Sequence, residues 1–103
     1  MRKITADAIR AFRNNQNFKR GNTQVICYGE NCQGNAVREL RLHNNVIAIS
    51  DVRGRLFIKS GGWETVTTKE RLNGFPTVHI VQKNFVWFLN GEAWDGGLIR
   101  VEW

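Results

Sequence analysis

Apolar positions along the chain follow two periods, a helical one near the start and a period of two residues beyond Gly21. Ala8, Ala11 and Phe12, with Ile9 at the margin, stand three to four residues apart and share one face of a helix predicted over residues 6–14. Thr5 suits the N-cap, Asp7 falls in a first turn where a carboxylate complements the helix dipole, and Ile4 with Ile9 has the spacing of a hydrophobic staple. Arg10 and Arg13 point away from the apolar face. The polar run Asn14-Asn15-Gln16-Asn17 ends the pattern, and Phe18 is expected to return the chain to the core.

Strand-like segments follow. Val25-Ile26-Cys27-Tyr28 is the first, and Gln33-Gly34-Asn35 reads as the loop after it. Leu40 and Leu42 alternate with charges, Asn44-Asn45 predicts a turn, Val46-Ile47-Ala48-Ile49 is apolar, and Asp51-Val52-Arg53-Gly54 turns the chain into Leu56-Phe57-Ile58. That is a three-strand meander. After Gly61-Gly62, Thr67-Thr68-Lys69-Glu70 matches a capping box for a short helix running to Asn73, ended by Gly74 and Pro76. Two further strands, residues 78–82 and 85–89, flank a predicted Lys83-Asn84 hairpin, and Asn90-Gly91 is the strongest turn signal because both residues tolerate positive φ. In the segment from Leu98 to Trp103, Ile99, Val101 and Trp103 take one face and Arg100 and Glu102 the other. The expected class is α+β: an N-terminal helix, a largely antiparallel sheet of about six or seven strands, and a second short helix.

The chain has 103 residues, with 42% hydrophobic and 23% charged side chains, which suits a single globular domain over residues 1–103. Its longest uninterrupted apolar run is residues 85–89, against the roughly twenty residues a membrane-spanning helix needs. The charged start leads into an amphipathic pattern rather than a continuous apolar stretch, so no secretory signal is expected and the default compartment is the cytoplasm.

Candidate chemistry is sparse. Cys27 and Cys32 enclose a four-residue gap that a hairpin would turn into facing sulfurs, although a cytosolic redox poise favours two thiols over a disulfide. Zinc would need His43 and His79 to complete the set, but finger spacings are absent and both histidines fall in strand-like runs. No phosphate-binding loop or dinucleotide fingerprint occurs, and Ser50 and Ser60 lack a glycine-flanked elbow. Glu92 and Asp95 flank a tight turn, where exposed acids are routine. With no acid, base and nucleophile to assemble, the expectation is a protein without enzymatic activity, cofactor or metal.

Charge changes the picture more. Six of the fifteen Lys and Arg residues, Arg2, Lys3, Arg10, Arg13, Lys19 and Arg20, lie in the first twenty positions with Asp7 the only acid, so this segment carries +5 of the formal +6. Charge concentrated at one end attracts polyanions or acidic protein surfaces. The helix places Arg10 and Arg13 one turn apart with the other four at its ends, a geometry open to a phosphate-tracking face and also to an ordinary solvated one. Of the four tryptophans, Trp87 and Trp103 read as core, while Trp63 and Trp94 stand next to turns, as packing lids or as stacking platforms. In the second helix, Thr67, Glu70, Leu72 and Gly74 are explained by folding. Lys69 and Arg71 remain, and with Trp63 upstream they form a secondary anion-site candidate.

The segment Gly62-Trp63-Glu64-Thr65-Val66-Thr67-Thr68-Lys69-Glu70-Arg71-Leu72-Asn73-Gly74 resembles a family of small uncharacterised proteins of tailed bacteriophages. Residues 42–48, 82–94, 11–12 and 18–23 share that resemblance, which departs at residues 27–35 and at Asn44, where glycine is expected. The resemblance implies a phage origin and expression in a bacterial host cytoplasm, and it carries no activity and no site residue. Two functions are therefore expected from the residues themselves. One is low-specificity nucleic-acid binding through the basic N-terminal helix. The other is a protein that inhibits or modulates a host enzyme or defence complex through an acidic partner surface. No membrane partner is expected, and the residues do not fix an oligomeric state.

Overall fold

A computed structural model describes residues 1–29, 37–62 and 64–103. Helix α1 (Lys3–Arg13) is followed by β1 (Phe18–Arg20), β2 (Thr23–Cys27), β3 (Arg38–Leu42), β4 (Asn45–Ser50), β5 (Leu56–Ile58), α2 (Val66–Leu72), β6 (Ile80–Lys83), β7 (Val86–Leu89), β8 (Glu92–Trp94) and β9 (Ile99–Val101). The strands form two sheets, one of order β1-β2-β3-β4-β5-β9 and one of order β6-β7-β8, with every pairing antiparallel. The class is α+β. Two sheets replace the single one expected, and β1 adds a short edge strand where the sequence suggested only an anchoring Phe18.

Burial alternates along β2, β3 and β5, so Thr23, Val25, Leu40, Leu42, Leu56 and Ile58 face inward while Gln24, Ile26, Glu39, Arg41 and Phe57 are only half-buried. The inward face packs with Ala8, Ile9 and Phe12 of α1, Leu72 of α2, and Ile80, Trp87, Leu89 and Trp94 of the small sheet in one core. The β4 run is continuous because a bulge sits opposite Leu40 and Arg41. Leu40 pairs with Ala48 and Arg41 with Val46, leaving Ile47 as the extra residue, so Ile47 and Ala48 are both buried. Trp94 is 8% exposed, packs against Trp87 at 6.0 Å between ring centroids and donates its indole N–H to the Gly97 carbonyl at 2.9 Å. It belongs to the core rather than to an exposed platform.

Several local signals fall elsewhere than expected. The α1 helix begins at Lys3, with Arg2 at the N-cap and no side-chain cap, so Thr5 lies inside the helix and Asp7 beyond its first turn. Thr65 rather than Thr67 caps α2, accepting from the Thr68 amide at 3.1 Å. The β3–β4 turn uses His43 and Asn44, with φ of 50° and 67°, and the β6–β7 turn uses Asn84 and Phe85, with φ of 52° and 65°. Each is a two-residue hairpin of the type that needs positive φ at both central positions, displaced by one residue from the predicted turn. Asn90-Gly91 turns as expected.

Candidate nucleic-acid interface

Helix α1 turns its apolar stripe to the sheet, which leaves Arg2, Lys3, Arg10 and Arg13 exposed on the other side. Asp7 stands at the edge of that side, next to β1. Its carboxylate accepts from Arg20 at 2.7 Å, from Lys3 at 3.1 Å and from Arg10 at 3.4 Å, so bases from two elements meet at one acid. Those hydrogen bonds, from Arg20 first and then Lys3, hold the Asp7 carboxyl below its ordinary value. The cations themselves stay open to solvent, with side chains 84%, 68% and 51% exposed for Lys3, Arg10 and Arg20. A shallow hollow of about 470 Å³ runs between Arg10 and Arg13 and the close approach of α1 to Gly74.

Lys19 does not join this group. Phe18 packs against the core, so in strand β1 Phe18 and Arg20 take the helix side and Lys19 the opposite face. Five of the six predicted bases thus share the α1 side, and Lys19 lies around the sheet edge from them.

Lys69 and Arg71 part company as well. Lys69 borders a surface hollow with Met1, Val66 and Asn73, close to the start of α1. Arg71 is 2% exposed and its guanidinium is consumed inside the protein: Nε donates to Thr23 Oγ1 at 3.0 Å, and Nη1 donates to Thr5 Oγ1 at 3.0 Å and to Glu70 Oε1. Thr5 in turn donates to Glu70, whose second oxygen accepts from the Arg2 amide at 3.3 Å. Arg71 therefore ties α1, α2 and β2 together and cannot meet an external anion, which corrects the expectation that it projects from the helix. Trp63 lies outside the described residues.

A second interior cation had no sequence signal beyond its place at the start of an alternating strand. Arg38 donates Nη1 to the Phe12 carbonyl at 2.9 Å and Nη2 to Ser50 Oγ at 2.8 Å, and also reaches the Arg13 carbonyl at 3.4 Å. It thereby satisfies carbonyls at the C-terminal end of α1, where the helix dipole favours positive charge. The Phe12 and Trp103 rings lie 5.4 and 5.0 Å from its guanidinium, and burial lowers its pKa.

The described residues weighed for metal stand on separate elements. His43 occupies the β3–β4 turn and His79 an exposed position before β6, while Cys27 is buried at the end of β2. Among the described residues no three His, Cys, Asp or Glu side chains gather, and Cys32 lies outside them. Between the β3–β4 turn and the start of α2 is a cavity of about 480 Å³ lined by Leu42, His43, Asn45, Ile47, Ser60, Thr65, Thr67 and Thr68. Among the described residues no helix is long and apolar enough to cross a membrane.

The fold and its basic flank define a small α+β protein of two antiparallel sheets whose surplus charge is carried on one helix and the adjoining edge strand. Over residues 1–103 the chain matches the Kyanoviridae Gp96 protein family, and it belongs to that family of phage proteins. Comparison with curated proteins and with solved structures returns no match.

Proposed function

We propose that this phage protein is a non-catalytic module that binds nucleic acid with low sequence preference through the exposed side of α1 and β1, acting in the host cytoplasm. The carrying observation is the meeting of Lys3, Arg10 and Arg20 around Asp7, with Arg2 and Arg13 on the same exposed side of the helix. One carboxylate fixes three cations and neutralises only one of them, so the group is both ordered and net positive. Contacts of this kind track phosphates without reading bases, and affinity falls steeply with salt.

The test is fluorescence anisotropy with a labelled random-sequence duplex and a labelled single strand over a salt series. Arg10→Glu with Arg13→Glu is expected to abolish binding to both while leaving the melting temperature nearly unchanged. Asp7→Asn is expected to tighten binding several-fold, because it removes the one acid among these cations. Unaltered affinity in both variants would remove α1 from the function.

A second reading, a modulator of a host enzyme or defence complex, draws on a different surface. The outer face of the small sheet carries Val81, Val86, Phe88 and Ala93, and at its tip Phe85 is 92% exposed with φ of 65°. A bulky side chain in that backbone region is strained, and contiguous exposed apolar residues mark protein contacts. Recovery of one host protein from nuclease-treated lysate by the wild type, lost in Phe85→Gly, would support this reading over the first.

A further inference from the structure

We propose that the face of the six-stranded sheet turned away from the core is a platform for single-stranded nucleic acid centred on Phe57, an inference that rests on the nucleic-acid reading above and adds the form of ligand. Strand register places Ile26, Glu39, Ile49, Phe57 and Arg100 side by side across β2, β3, β4, β5 and β9, a row of roughly 19 Å at the usual strand spacing. Ile26, Ile49 and Phe57 stand apart from the core cluster, and each is half-buried only. Among the described elements both helices and the small sheet pack into the core on the opposite face.

The chemistry around Phe57 is selective. Arg55 lies on the same face with its guanidinium 5.9 Å from the ring centroid, held there by Asp51 at 2.7 Å. Lys59 follows on that face by alternation, and Arg100 sits directly across on the neighbouring strand. Arg55, Lys59 and Arg100 outnumber the acids beside them, Asp51 and Glu102, so the ring can stack one base while a neighbouring cation meets its phosphate, without reading the base edge. A duplex hides the faces of its bases within the stack, so this arrangement favours an unpaired strand. Lys19 lies on this face at the β1 edge, across that strand from Arg20 of the α1 group.

The experiment uses the full chain, a labelled ten-nucleotide oligo-dT or oligo-U, and a labelled duplex of random sequence, with anisotropy at low salt and a thermal melt of every variant. Phe57→Leu keeps an apolar, strand-compatible side chain but removes the ring. It is expected to weaken single-strand binding at least fivefold and leave duplex binding unchanged. Arg100→Glu, at an exposed position, is expected to do the same and guards against a folding defect in the first variant. If both variants bind the oligonucleotides as the wild type does while Arg10→Glu with Arg13→Glu loses them, the platform is refuted and the α1 reading stands. Equal weakening of single strand and duplex by Phe57→Leu also refutes it. Absence of any binding by the wild type refutes both.

Discussion

Replacing Arg71 with methionine is expected to remove a large part of the domain's stability without touching its binding surface. The guanidinium joins β2 through Thr23, α1 through Thr5 and its own helix through Glu70. Methionine retains much of the aliphatic bulk and no donor, so two buried hydroxyls lose a partner and a carboxylate loses its cation. Each hydroxyl keeps one bond, Thr5 to Glu70 and Thr23 to Asn22. The cost therefore falls short of three full charged hydrogen bonds at about 1.5–3 kcal/mol each and lies near the ~3–5 kcal/mol of breaking a buried charge pair from one side. About 4 kcal/mol is a large share of the 5–15 kcal/mol typical of a whole domain. For a chain of this length it corresponds to a fall in melting temperature of roughly 15–30 °C. Circular dichroism melts and urea titrations of the two proteins measure it directly. Nucleic-acid affinity, taken at a temperature where both are folded, is expected to be unchanged because Arg71 is 2% exposed. A loss below about 1 kcal/mol would refute the reasoning, since it would mean that these bonds do no more than offset the desolvation of the guanidinium.

Two further outcomes follow from the same geometry. Burial alone would raise the Glu70 carboxyl, but the Thr5 hydroxyl, the Arg2 amide and Arg71 outweigh it and hold the group below its ordinary value. Its stabilisation is thus complete above roughly pH 4.5, the ordinary glutamate value, and is lost as pH falls through the lower folded one. Urea unfolding at stepped acid pH is expected to show a shallower decline for Glu70→Gln than for the wild type, with the remaining slope due to Asp7 and Asp51, which are also depressed. Phe85→Gly is expected to raise stability by about 1 kcal/mol in a thermal melt, because it relieves a left-handed backbone at a bulky residue and creates an Asn-Gly hairpin. A lower melting temperature in that variant would show that the Phe85 ring supports the fold.

How much of this was legible beforehand depended on the range of the interaction. The change from a helical to a two-residue period and the Asn90-Gly91 turn are set by neighbours within a few positions, and the class and order of the main elements followed from them, whereas of the side of the last strand expected to be buried only Val101 is, Ile99 and Trp103 being exposed. So did the charge asymmetry, which is a property of composition and position alone. The β3–β4 and β6–β7 turns moved by one residue because each hairpin is fixed by which side chains the flanking strands must bury, and an asparagine serves either central position.

Polar side chains were the part that local pattern misplaced. Thr5 has the chemistry of a cap and Arg71 that of an exposed helical base, yet these residues, 66 positions apart, bond to one another inside the protein. Lys19 and Arg20 are adjacent in the chain and lie on opposite faces of a sheet whose existence at that point depended on β2. A hydroxyl or guanidinium accepts whichever partner folding brings within reach, and no nearest-neighbour preference encodes that choice. Local sequence therefore settled where the chain turns to within a residue, which sides are apolar and where the charge is concentrated, whereas only tertiary packing decided which cations remain on the surface and which are used to hold the elements together.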